Sequence, residues 1–135
     1  MTSEVIYQGD LRTSATHLQS GNSIETDAPT DNKGKGERFS PTDLVATALA
    51  SCMLTIMGIA ARNHGFNIDG TKCAVEKIMV PDPRRIGEIK IDMKFPADQS
   101  YDDKTKTIIE RAALTCPVFE SLHPDCKKTI NFLWP

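Results

Sequence analysis

The sequence predicts an α+β protein in which mostly antiparallel sheet packs around one long central helix. Three observations predict it. Between Asp43 and Arg62 run eighteen residues without a charge, LVATALASCMLTIMGIAA. Segments such as IGEIKIDMKF alternate apolar and charged residues, the signature of a strand with one buried face. Strands and helices also come grouped as strands, long helix, strands, helices and strand, without the steady βα alternation of a parallel sheet.

Taken in order, residues 4 to 19 (EVIYQGDLRTSATHLQ) carry β-branched and aromatic residues with a break at Gly9-Asp10, and a short alternation follows at Asn22–Thr26. Together they predict two or three antiparallel strands. The Gly-, Pro-, Asp- and Asn-rich segment ETDAPTDNKGKGERFSP is a loop, and loops this long are usually functional or mobile. Ser40 suits the N-cap of the long helix, Pro41 its first position, and Asp43 its first turn. That helix is predicted to reach about Asn63, with His64 and Gly65 as its stop. Ile68–Met79 and Ile86–Phe95 read as strands joined by VPDPRRIG. Asp102–Leu114 reads as an amphipathic helix with Ile108, Ile109, Ala112 and Ala113 inward. A short helix begins around Cys116-Pro117 and ends by Pro124, and KKTINFLW supplies a last strand.

A chain of 135 residues forms one domain, 1–135, and can bury a core without disulfide staples. Its 39% apolar and 25% charged residues are ordinary for a globular protein. A net charge of −2 with scattered basic residues argues against nucleic acid as a partner. The beginning, MTSEVIYQGD, lacks the basic and apolar regions of a secretory signal, so a cytoplasmic protein is expected. The uncharged run sits at the lower length limit for a membrane span, but half of it is Ala, Thr, Ser and Gly, and aromatic or basic flanks are missing. A buried helix in a soluble body or a tight dimer reads equally from it, and no membrane association is expected.

In a reducing compartment, Cys52, Cys73, Cys116 and Cys126 point to catalytic, redox or metal roles more than to staples. On a helical wheel Cys52 falls on a stripe with Val45, Ala48, Leu49, Ile56 and Ile59, beside a small-residue stripe of Thr47, Ser51, Thr55 and Gly58. A buried, inert thiol fits that placement. A reactive one needs a nearby cation, because Cys52 lies beyond the reach of the helix dipole. Cys116 precedes Pro117 at the start of a helix, where a thiolate is favoured, although a packing role fits as well. Zinc is disfavoured: there is no C-x-x-C pair, and Cys116, His123 and Cys126 form the nearest ligand cluster. Cys73 and Cys126 look incidental, and His17, His64 and His123 have no telling partners.

SPTDLVATALASC, followed by CPVFESL with its cysteine 64 residues after Cys52, resembles the OsmC/Ohr family, the osmotically inducible and organic hydroperoxide resistance proteins. Pro41 stands eleven residues before Cys52, and Cys116-Pro117 opens the later short helix, as in the family pattern; YQGDLRTSAT is similar to its first strands. The resemblance covers essentially the whole chain. It implies an intertwined homodimer with central helices and a thiol-dependent peroxidase without a cofactor or metal. Cys52 would be peroxidatic, Cys116 resolving and Arg12 the stabiliser of the thiolate. Organic hydroperoxides, and hydrogen peroxide as a further oxidant, would be the substrates, and a lipoyl-type dithiol the reductant. The family places a glutamate after the helix-starting proline to hold the arginine; here Thr42 stands there, which leaves Asp43 or Glu37 as the arginine's partner. That departure keeps an alternative open, an OsmC-like redox sensor or small-ligand-binding dimer without rapid turnover.

Overall fold

A computed structural model describes all 135 residues. The chain divides into two compact units, Met1–Val45 and Ala46–Pro135.

The first unit is a three-stranded antiparallel sheet in the order β1 (Ser3–Gly9), β2 (Arg12–His17), β3 (Ser23–Asp27). β1 and β2 are joined through Asp10 and Leu11, both at positive φ (53° and 61°), with Gly9 opposite Arg12. Positive φ at both central residues is the mark of a type I′ turn, whose twist matches that of the flanking strands. The β2–β3 register sets Arg12 opposite Asp27. The loop that follows, with a 3-10 turn at Thr30–Asn32, folds back on the end of β3. Asp27 N–H donates to Phe39 O at 3.1 Å, and Gly36 N–H to Ala28 O at 3.2 Å. Gly34 passes so close to Ala28 that a Cβ would lie 1.7 Å from its carbonyl oxygen, so only glycine fits.

Helix α1 (Pro41–His64) begins with a capping box. Asp43 N–H donates to Ser40 Oγ, and Ser40 N–H donates to Asp43 Oδ2, each at 3.0 Å. The body of α1 belongs to the second unit, with β4 (Lys72–Val80), β5 (Arg85–Lys94), α2 (Asp103–Leu114), α3 (Pro117–Ser121) and β6 (Lys127–Leu133). The sheet order is β4-β5-β6. β4 and β5 are antiparallel, whereas β5 and β6 are parallel. The chain makes that parallel crossover through α2 and α3. The architecture is thus α+β, as the sequence predicts, with its strands in two sheets and one parallel pair in the second.

Leu49, Met53 and Met57 of α1, Ile89, Ile91 and Met93 of β5, and Ile109 and Ala113 of α2 are fully buried together. Each large side chain among them contributes about 1.5–3 kcal/mol by leaving water. Phe95, Tyr101 and Trp134 close one end of this core, Phe95 stacked on Trp134 at 4.3 Å between centroids.

Two expectations change. β4 starts at Lys72 instead of Ile68, because Thr71 turns back onto Ile68 O through both its N–H (3.0 Å) and its hydroxyl (2.6 Å). The buried stripe of α1 is Ala46, Leu49, Ala50, Met53, Met57 and Ala61, while Val45 and Ile59 stay exposed. A helix apolar nearly all round has no polar face to fix its rotation, so the wheel alone does not tell which stripe packs within its own chain. α1 is long and apolar enough to cross a membrane, with a mean hydropathy of 2.1. Its buried face nevertheless builds the core of the second unit.

Candidate thiol site and arginine cluster

In the second unit α1 delivers Cys52 to the position where Cys116 opens α3. Cys52 is half-buried against the core, and Cys116 is fully buried. Pro117 holds the preceding residue extended, and Cys116 has φ −68° and ψ 148°. Its sulfur is the N-cap of α3 and accepts the Phe119 N–H at 3.3 Å. Burial pushes the Cys116 thiol's pKa up, and the nearby Cys52 thiol pushes the same way, against the opposing pull of the Phe119 N–H. The two thiols picked out in the sequence are therefore neighbours, both unbridged.

Cys73 and Cys126 are less incidental to packing than their sequence context suggests. Cys126 is buried, and Cys73 packs half-buried against the core, its thiol pushed up to about 11 by burial. Cys116, His123 and Cys126 do not come together: no three His, Cys, Asp or Glu side chains are grouped to hold a metal ion.

In the first unit, Arg12 is the centre of a charge cluster. Its Nε donates to Asp27 Oδ1 at 2.7 Å and its Nη2 to Asp27 Oδ2 at 2.8 Å, a two-point clamp across the β2–β3 ladder. Nη2 also reaches Glu37 Oε1 at 3.2 Å, and Glu37 N–H donates to Asp27 Oδ2 at 3.2 Å. Asp27 is 1% exposed and Arg12 20%, against 60% for Glu37. The Arg12 hydrogen bonds hold Asp27 ionised down to a pKa of about 2, and the same bonds raise the arginine's pKa further.

Glu37 thus meets Arg12, whereas Asp43 accepts from the Ser40 N–H in the capping box, close to its own helix start. Asp27 is the residue the sequence reading missed. A signal was present: a two-residue turn at Asp10-Leu11 followed by a hairpin brings a residue near 27 opposite Arg12, and the only aspartate or glutamate at the end of that strand is Asp27.

Residues 34–131 match the family described as OsmC-like protein. The chain belongs to the OsmC-like family. A Psychrobacter arcticus protein named for osmotic stress induction and detoxification response is 58% identical to it, with a TM-score of 0.93 over 98% of this chain and 95% of that one. More distant solved structures share the fold. An organic hydroperoxide resistance protein OsmC from Legionella pneumophila is 12% identical, with a TM-score of 0.72 over 98% of this OsmC-like chain and 97% of the other. An organic hydroperoxide resistance protein from Vibrio cholerae, with captopril in one of its active sites, is 11% identical, with a TM-score of 0.75 over 98% and 91%. Among curated proteins, none matches the chain.

Proposed function

We propose that this OsmC-like chain is a cytoplasmic thiol-dependent peroxidase of organic hydroperoxides, acting as one domain. The observation that supports it above others is the adjacency of the Cys52 and Cys116 thiols. The hydroperoxide resistance named in two structural relatives points the same way.

In this reading the Cys52 thiolate attacks the outer oxygen of a hydroperoxide ROOH. An S–O bond forms, the O–O bond breaks, and RO⁻ leaves to take up a proton as ROH. Cys52 is then a sulfenic acid, oxidised by two electrons. The Cys116 thiol attacks it, a disulfide forms and water leaves. Two-electron reduction by a dithiol of the lipoyl class restores both thiols and leaves the donor as its disulfide. Cys116 is the residue suited to resolve because its thiol neighbours Cys52. By the family resemblance alone, Arg12 would be the cation that favours the Cys52 thiolate. Asp27 and Glu37 take its Nε and Nη2, so the N–H groups of Nη1 are the ones offered to a further acceptor.

The active form is a homodimer. Val5, Ile6, Tyr7 and Ile24 stand exposed on the first unit's sheet, and Val45 and Ile59 on α1. Apolar surface on this scale calls for a cover, and a second copy of the chain is the cover that the family resemblance implies.

Purified protein should consume tert-butyl or cumene hydroperoxide with dihydrolipoamide as donor, and Cys52→Ser should lower turnover by at least ~100-fold. Equal rates in wild type and Cys52→Ser would reject the mechanism. A second reading, a stoichiometric redox sensor, draws on Thr42 at the position of the family's glutamate and on the raised Cys116 thiol, which slows resolution. One disulfide per chain formed without multiple turnover would favour it.

A further inference from the structure

We infer that α3 is a redox-sensitive segment, capped by the Cys116 sulfur while the thiols are reduced and uncapped when Cys52 and Cys116 join as a disulfide. The inference rests on the Cys52–Cys116 pairing proposed above, and not on which oxidant makes the bond.

Few contacts hold α3 in the reduced state. It has five residues, Pro117–Ser121, far fewer than the ~12–15 a helix needs to stand alone in water, and none of them is buried. Pro117 brings no N–H to the first turn. The Phe119 N–H donates to Cys116 Sγ at 3.3 Å and the Glu120 N–H to Cys116 O at 3.1 Å, so one residue receives both. Ser121 Oγ donates to Pro117 O at 2.7 Å within the turn. The far end is tethered separately. Lys128 of β6 lies over the Phe119 ring, 5.2 Å from its centroid, and its Nζ donates to His123 O at 3.3 Å.

Making the disulfide moves the capping sulfur. Cys52 and Cys116 are free thiols, whereas a disulfide draws its two sulfurs to about 2.05 Å with a Cβ–S–S–Cβ dihedral of roughly 90°. The oxidant takes two electrons and both thiol protons, and one S–S bond forms. The approach falls to Cys116. Cys52 sits midway along the 24 residues of α1, beside Met53, and Leu49, Met53 and Met57 are all fully buried. A close-packed core holds that backbone, and a helix leaves its side chains few χ1 positions. Cys116, itself buried, stands between the exposed Thr115 that ends α2 and a helix without a buried residue of its own. A sulfur turned toward Cys52 leaves the Phe119 N–H without its acceptor. The single turn then loses its cap at the end that nothing else ties down.

The test is amide hydrogen exchange by mass spectrometry on the full-length protein, reduced and after diamide, which accepts two electrons and two protons from a thiol pair without peroxide chemistry. With a Cys52–Cys116 disulfide verified by peptide mapping, residues 117–122 are expected to exchange about tenfold faster, the loss of an N-cap, while residues 44–57 of α1 stay unchanged. Reduced Cys116→Ala should show the same acceleration without oxidant. Cys116→Ser, which keeps an acceptor and cannot pair with Cys52, should show no acceleration after diamide. Unchanged exchange of residues 117–122 in disulfide-containing wild type overturns the inference and leaves the peroxidase reading standing, since that reading is judged with hydroperoxide. An acceleration shared equally by α1, or one that persists in Cys116→Ser, also overturns it. Absence of a Cys52–Cys116 disulfide after diamide removes the pair itself, and both readings with it.

Discussion

Arg12 and Asp27 face each other across β2 and β3, and their side chains close a two-point ion pair at 2.7 and 2.8 Å. The pair makes stability depend on acid pH in a defined window. An aspartate ordinarily at 3.8 is held at about 2 by the Arg12 hydrogen bonds, so the folded state binds its proton less readily than the unfolded chain. The contribution is therefore fully present above about pH 4 and is lost as pH falls through 2. Melting temperatures of wild type and Asp27→Asn should differ most above pH 4 and converge toward pH 2. A difference that stays constant across that window would show that the carboxylate's charge is not what stabilises the pair.

Leu11 occupies the left-handed region at φ 61°, where a side chain with a Cβ carries roughly 1 kcal/mol of strain. The turn wants glycine at this second position. Leu11→Gly should therefore raise stability by up to about 1 kcal/mol in urea unfolding, with Arg12 left in place. A clear loss would mean that the Leu11 side chain contributes packing that outweighs the strain.

Cys116 has a structural duty apart from any redox chemistry, since its sulfur caps α3 through the Phe119 N–H. Under reducing conditions Cys116→Ala should cost about 1–2 kcal/mol, the lost cap plus a small cavity. Cys116→Ser, which keeps an acceptor at the cap, should cost less. The order of the two variants in urea denaturation separates capping from burial.

Ile59 lies on the face of α1 that its own chain leaves open. Ile59→Glu should convert a dimer to a monomer in analytical ultracentrifugation, because a charge buried without a partner is expensive in an apolar interface. Dimers of unchanged affinity would place the contact elsewhere.

The thiol pair and the arginine cluster differ in how legible they are in the sequence. Cys52 and Cys116 stand out in the sequence through the family resemblance, carried by a proline-started helix and a Cys-Pro pair; the residues alone leave each thiol open to a packing role. The strands and helices were legible because local patterns survive in a sequence, to within a few residues at Ile68. Asp27 was obscured because its role arises from register across a hairpin, 15 residues from Arg12. Which face of α1 packs within its own chain is not legible, because an apolar helix carries no polar stripe to mark its outside. The parallel pairing of β6 with β5 likewise depends on where α2 and α3 return the chain, which no local pattern specifies.

The central claim is that Cys52 and Cys116 form one redox pair. Treating the reduced protein with one equivalent of tert-butyl hydroperoxide, blocking free thiols and mapping peptides by mass spectrometry tests it directly. The account predicts a Cys52–Cys116 disulfide, with Cys73 and Cys126 recovered as free thiols. In Cys116→Ser, the Cys52 sulfenic acid should be captured by dimedone. Recovery of Cys52 and Cys116 as free thiols after oxidation, or a disulfide from Cys52 to any other cysteine, would contradict it.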